Sequence, residues 1–428
     1  MRRIVFILVL FYVFIFSSSL ALSILFPQEA GYIRIIIIAS LWLASFYFVY
    51  VRHALKEYEL QLPNLGLLAL VFCTVIMTLV SWASGILMIP IIYGLMTYIS
   101  FYPLIYLLLI IRKSYHLTKI LLIIFIILCN FLALGVIYDS TVGIENLPFI
   151  NQEVAIAIRA ITTRDTSGET RGSFLFGSST YVYPFLSIGI LSTIILVKIF
   201  NQSKFHSVLV GYCSISIIWL GCFFSFSRAP LVLATVMAVY AIFEMFQTSK
   251  SRINVFIGIG LLISTGLLVF DAPAWLYSQL SSYRIERLSL LFSNREAGNS
   301  GRFNSWQNGL NLLNSVDAWG GYGLSTSNVR MSQLYNFSLR SHYESSILLT
   351  FSEGGIFGII ARFIPMMLML KASSKTLFKN TFLVWSLLLT ANLAISPAII
   401  DYSVQLAYFL AMSMAVAFAP ILSVRQSN

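Results

Sequence analysis

The chain has 428 residues, of which 58% are hydrophobic and only 10% charged, with a formal net charge of +11. Soluble domains carry about 25% charged residues, so this composition excludes a water-facing surface over most of the molecule and requires lipid to cover it. The positive balance does not call for nucleic acid as a partner, because loops on the cytoplasmic side of a membrane collect Lys and Arg.

A spanning helix needs about 20 predominantly apolar residues. In chain order, the segments that meet this are 4–26, 32–51, 65–84, 87–111, 119–138, 179–200, 207–224, 229–247, 254–270, 343–370, 380–398 and 402–422. They predict an all-α polytopic membrane protein with about 12 transmembrane helices. Met1-Arg2-Arg3 opens the first run as a signal peptide would. The run continues to Phe26 and no small-x-small cleavage site stands out, so an uncleaved first helix is expected. Two hydrophilic stretches interrupt the pattern, 139–178 and 271–342. The second is the large extracytoplasmic loop, between spans 9 and 10. The expected organisation is therefore 1–138 (spans 1–5), 139–178 (outer loop), 179–270 (spans 6–9), 271–342 (large periplasmic loop) and 343–428 (spans 10–12). Cys73, Cys129, Cys213 and Cys222 all fall in apolar runs and read as small core residues.

Charge sets the orientation. With the N-terminus inside, all nine lysines (Lys56, Lys113, Lys119, Lys198, Lys204, Lys250, Lys371, Lys375 and Lys379) fall in or beside cytoplasmic turns. Ten arginines fall outside: Arg159, Arg164, Arg171, Arg228, Arg284, Arg287, Arg295, Arg302, Arg330 and Arg340. The reverse orientation would put every lysine on the far side, against the positive-inside bias. Both termini are then cytoplasmic. An outer face that keeps only arginine suits bidentate recognition of an anion, since the guanidinium fork matches phosphate and carboxylate. The bland alternative pairs these arginines with nearby Asp165, Glu169, Glu286 and Glu296. Of the four histidines, His342 alone faces outward, where an imidazole suits base chemistry near neutral pH. Arg362 lies inside an apolar run, close enough to Pro365 and Lys371 to snorkel or to mark a kink. No P-loop, Asp-x-Asp pair, metal-ligand cluster or Gly-x-Ser-x-Gly elbow occurs, so neither a metal nor a cofactor is expected.

Four segments resemble the O-antigen polymerase and ligase superfamily of bacterial envelope proteins. Arg171-Gly172-Ser173-Phe174 with Gly177 resembles an Arg-x-Gly-x-Phe-Gly stretch that enters a span, with Ser178-Ser179 where the family often has Asn-Pro-Asn. Ser225-Phe226-Ser227-Arg228 matches a Ser-x-Ser-Arg signature between two spans. Gly301-Arg302-Phe303 with Trp306, then Gly321-Tyr322-Gly323, resembles the core of the large loop. His342 through Glu353-Gly354-Gly355-Ile356-Phe357-Gly358 resembles the His…Glu-x-Gly-x-x-Gly return into the membrane. Arg284 and Arg287 also fit an Arg-x-x-x-Leu pattern.

This resemblance implies a metal-independent glycosyltransferase whose donor is a glycan on undecaprenyl diphosphate. Arg228 would meet the diphosphate leaving group; Arg171, Arg302, Arg284 and Arg287 would bind phosphate or acidic sugars; Trp306 and Tyr322 would stack on sugar rings. His342 or Glu344 would deprotonate the acceptor hydroxyl. In ligases the histidine stands nine residues before the glutamate, where this chain has Glu344. That departure favours a Wzy-type polymerase of O-antigen, capsular or exopolysaccharide over the ligase that moves glycan onto lipid A-core. A chain-length regulator and a flippase are the partners such a polymerase implies. A lipid-linked oligosaccharide flippase is the reading from a different class.

Overall fold

The computed structural model describes residues 1–17, 30–144, 174–176, 179–200, 205–225, 227–249, 300–311, 314–326, 345–374, 376, 378–396 and 402–418. These are predominantly helical, with no strand among them. In chain order the helices are α1 Arg2–Ser17, α2 Ala30–Phe46, α3 Glu57–Ala83, α4 Met88–Ile99, α5 Leu104–Ile111, α6 Tyr115–Thr141, α7 Val182–Phe200, α8 Phe205–Phe224, α9 Arg228–Ser249, α10 Ser300–Asn311, α11 Val316–Gly320, α12 Ser346–Ser373, α13 Lys379–Ile395 and α14 Tyr402–Phe418. Among the described residues, six segments are long and apolar enough to cross a bilayer: Gly31–Val51, Glu57–Ala83, Met88–Ile111, Tyr115–Thr141, Val182–Ile199 and Ser346–Ser373. Val208–Phe224, Ala229–Met245 and Ser403–Phe418 are shorter apolar helices. The protein is thus an all-helical, multi-pass membrane protein. The expected span 254–270 lies outside the described residues.

Two compact units share the chain, 1–34 with 114–294 and 35–113 with 295–428. In the first, α7 packs against α6, α8 and α9, and α8 also packs against α6 and α9. Small residues set these approaches. A Cβ on Gly189 would stand 2.6 Å from the Cys129 Cβ, and one on Gly221 would stand 2.7 Å from the Ala133 Cβ. Apolar matching alone gives transmembrane helices little reason to pair, so close packing and polar contacts must supply it. Asn130 Nδ2 donates to Ser214 Oγ at 2.6 Å, joining α6 to α8. Trp219 Nε1 donates to Thr235 Oγ1 at 2.9 Å, joining α8 to α9. Lys198 of α7 pairs with Glu244 of α9, which also accepts the Tyr240 hydroxyl at 2.6 Å. Cys129 and Cys222 are buried as expected, whereas Cys213 is exposed.

In the second unit α12 is central, packing against α3, α13 and α14, while α14 also covers α5. Gly66 of α3 makes room for this. A Cβ there would sit 2.2 Å from Leu368 Cδ1 and 2.6 Å from the Tyr102 hydroxyl. That hydroxyl donates to the Pro63 carbonyl at 2.6 Å. One end of the unit is closed by charge. Glu59 accepts from Arg112 at 2.7 Å, from Lys113 at 2.8 Å and from the Lys56 backbone N–H at 2.8 Å. Lys113 also donates to the Ala54 carbonyl, and Arg112 to that of Ala417. The Glu59 side chain is only 4% exposed.

Losing one member of a buried charge cluster strands the others. Glu59→Ala is expected to destabilise the protein by about 3 kcal/mol, read as a lower thermal unfolding midpoint in detergent. The cluster-conserving Lys113→Arg should leave that midpoint nearly unchanged.

Candidate functional site

The candidate site of the second unit is organised by a break in α12. Gly354-Gly355 falls within this helix, and at Gly355 the backbone swings to φ 57°, ψ −147°. Side chains other than hydrogen rarely tolerate that region. The chain folds sharply there. A Cβ on Gly358 would lie 2.7 Å from the Thr350 carbonyl, eight positions earlier, whereas a straight helix would separate such residues by about 12 Å.

A break of this kind frees carbonyls that need partners. The Gly321-Tyr322-Gly323 motif provides them. The Tyr322 N–H donates to the Ser352 carbonyl at 2.8 Å, and the Gly323 N–H to the Glu353 carbonyl at 3.0 Å. Glycine is required on both sides of this contact. A Cβ on Gly355 would stand 2.2 Å from the Trp319 carbonyl, and a Cβ on Gly321 would stand 2.6 Å from both the Glu353 carbonyl and the Gly355 nitrogen. The segment then continues into the unit. The Leu324 N–H donates to Ser81 Oγ at the end of α3, and Ser325 Oγ donates to the Pro90 carbonyl at the start of α4, both at 2.8 Å. Gly94 admits the segment, because a Cβ there would be 2.7 Å from the Leu324 Cβ. Two motifs that stand some thirty positions apart in the sequence are therefore one object.

Charge is enclosed just below the break. Glu353 is 8% exposed and Arg362 7%. Nη1 of Arg362 donates to the Thr97 carbonyl at 2.8 Å, and its guanidinium carbon lies 4.2 Å from the centre of the Tyr98 ring. The Tyr98 hydroxyl is within electrostatic reach of both Arg362 and Glu353. The Tyr408 hydroxyl of α14 donates to the Arg362 carbonyl. Arg362 therefore does not snorkel, as its sequence neighbours suggested; it is held inside by an aromatic face and a carbonyl. Asn392 of α13 is fully buried, with neither amide atom hydrogen-bonded among the described residues.

Of the predicted site residues, Trp306 and Tyr322 are half-buried and belong to this region, on α10 (which packs against α12) and on the glycine segment. The backbone of Arg302 lies in α10. Arg228 is the first residue of α9, directly after the buried Ser225 and Ser227. The side chains of Arg228 and Arg302 lie outside the described residues, as do Arg171, Arg284, Arg287, His342 and Glu344 entirely. The helix expected to begin at residue 343 begins at Ser346, with Ser345 Oγ accepting from the Leu348 N–H at 3.4 Å. Both base candidates thus precede the helix. The cause is local: a serine hydroxyl caps the first turn better than Glu344 or Tyr343 can.

Sequence reasoning passed over Asp139. Its carboxylate is 4% exposed and accepts the Phe174 N–H at 2.7 Å and the Ile144 N–H at 3.2 Å. It fixes the segment that follows Arg171 to the end of α6. A lone acid at the end of a long apolar run was the available signal.

Residues 213–363 match the family model described as O-Antigen ligase. The match runs from α8, through the Ser-x-Ser-Arg turn and the glycine segment, to just past Arg362. It bears out the resemblance to the O-antigen polymerase and ligase superfamily across that segment. Neither curated proteins nor solved structures matched the chain.

Gly355→Ala should separate the glycine segment from α12. Backbone strain alone is worth about 1–3 kcal/mol, and the clash adds to it. Faster amide exchange over residues 319–326 is expected. Gly320→Ala, where a Cβ meets nothing within 4 Å, should exchange like wild type.

Proposed function

We propose that this protein is a Wzy-type polymerase. It joins undecaprenyl-diphosphate-linked oligosaccharide repeat units into O-antigen, capsular or exopolysaccharide at the outer face of the cytoplasmic membrane. Its matched family comprises glycosyltransferase-like enzymes that act on lipid-linked glycans in the membrane. The supporting observation is the turn between α8 and α9. Arg228 opens α9, where the positive end of the helix dipole already attracts an anion. A further cation at that position is unfavourable unless a negative group is held there. A departing lipid diphosphate is such a group, and fixed cations stabilise the charge that develops as the glycosidic bond to phosphate breaks.

In this reading Arg171, Arg302, Arg284 and Arg287 hold phosphate or acidic sugars, Trp306 and Tyr322 contact the glycan, and His342 or Glu344 removes the acceptor proton without a metal. Both termini are cytoplasmic, and a chain-length regulator and a flippase act alongside. The description of the matched family favours a second reading, in which the acceptor is lipid A-core and the protein is a ligase.

Purified protein in vesicles with lipid-linked repeat units tests both. Polymer formed without an energy source supports polymerisation and excludes a pure flippase. Product formed only after lipid A-core is added indicates a ligase instead. Arg228→Ala is expected to lower the turnover rate by about 10²–10³-fold and to leave single repeat units on the carrier. Normal chain length in this variant would rule out the role given to Arg228.

A further inference from the structure

Three elements of the first unit meet at one end of it. Lys198 stands sixteen positions after Val182, the first residue of α7, and Glu244 sixteen after Arg228, the first residue of α9. Their ion pair sets the two packed helices parallel and in register. The short 3-10 turn Ser179–Tyr181, which leads into α7, packs against α9, so it lies at the end where Arg228 stands. Helix α6 runs the opposite way to α7, since Cys129 meets Gly189 while Gly135, further along, meets the ring of Phe174. Asp139, near the end of α6, therefore belongs to that same end. Its Oδ2 accepts the Phe174 N–H at 2.7 Å, and its Oδ1 the Ile144 N–H at 3.2 Å. Packing holds the segment as well. A Cβ on Gly135 would stand 2.4 Å from Phe174 Cδ1, the same ring meets Phe131 edge-on, and the buried Phe176 packs on Phe185. Phe174 itself is kept at φ 45°. A bulky residue stays there only where its surroundings fix it, and such strain gathers at ligand-binding segments.

The geometry points to Asp139 as a positioning residue for the donor diphosphate: it pins the segment behind Arg171 at the end of the unit where Arg228 begins α9, so that both arginines address one diphosphate. Three residues of chain separate Arg171 from Phe174, a reach of at most about 11 Å. The inference rests on the proposed function, and within it assigns Arg171 to phosphate rather than to an acidic sugar. Asp139 acts through the Phe174 backbone, not on the substrate. A carboxylate suits this task because both of its oxygens accept, one for each N–H. Asparagine keeps the shape but sets an N–H donor against one of those N–H groups. The segment then loosens from α6, and the chain that carries Arg171 loosens with it.

The test measures binding of sugar-free undecaprenyl diphosphate to full-length protein in vesicles. Arg171→Ala is expected to weaken binding by about 10–100-fold, the loss that follows removal of charge-assisted hydrogen bonds. Asp139→Asn alone should weaken it by about 10-fold. In the Arg171→Ala background it should cost almost nothing more, because residues that act as one unit are not additive. An equal loss in both backgrounds would show that Asp139 only supports the fold, and would overturn the proposal. Undiminished binding by either single variant would overturn it too, while leaving the polymerase reading standing. Gly135→Ala displaces the Phe174 ring and leaves Asp139 unchanged, so the same cycle built on it decides the question if Asp139→Asn does not fold; additivity with Arg171→Ala again counts against the proposal. A wild-type protein that binds no diphosphate would instead sink the proposed function itself, and this inference with it.

Discussion

The second unit depends on one exchange of backbone hydrogen bonds. Gly355 interrupts α12, and the carbonyls of Ser352 and Glu353 are taken by N–H groups of the Gly321-Tyr322-Gly323 segment. Unsatisfied backbone groups cost several kcal/mol where water is excluded. The break and the docked segment are therefore conditional on each other. Side chains at Gly321 or Gly355 would occupy the space that the opposite backbone fills. The unit thus fixes a loop to the middle of a helix with almost no side-chain chemistry at the contact.

The same constraint explains where polar side chains are tolerated. In the second unit, Ser81 and Ser325 use their hydroxyls to satisfy the entering segment, and Arg362 is held by Thr97, Tyr98 and its own bonded carbonyl. In the first, Asp139 is spent on two backbone N–H groups, and Lys198 is matched by Glu244. Each buried charge has a neighbour that compensates it, the condition under which a charge persists at low dielectric. Arg362 fits that rule through the Thr97 carbonyl and the face of Tyr98. A helix start at Arg228 adds an anion-favouring point in the first unit by a different means, the helix dipole.

Much of this was legible in the chain before any coordinates. Runs of apolar residues locate α6, α7 and α12 to within four positions, because the bilayer length imposes a period-independent signal that survives the loss of amphipathic pattern, whereas α3 begins eight positions before its expected span. The Ser-x-Ser-Arg turn falls between two helices as expected, and Trp306 and Tyr322 lie on α10 and on the glycine segment. Other readings depended on partners far along the chain. Arg362 looked able to reach an interface, since Lys371 and Pro365 are its visible neighbours; its real partner is Thr97. Cys213 looked like a core residue because its run is as apolar as that of Cys129, yet it is exposed. Hydropathy cannot tell the lipid-facing side of a helix from the bundle-facing side when both are apolar.

Composition and span length alone determined that this is a helical membrane protein, because those properties are sums over residues. The tertiary structure alone decided that the Gly-Tyr-Gly and Glu-Gly-Gly motifs form one joint and that Asp139 anchors the segment after Arg171. It also decided that Glu353 shares an interior with Arg362. These outcomes turn on which backbone groups lack partners and which glycines leave room for a neighbour. Such facts exist only once two distant segments are within hydrogen-bonding distance.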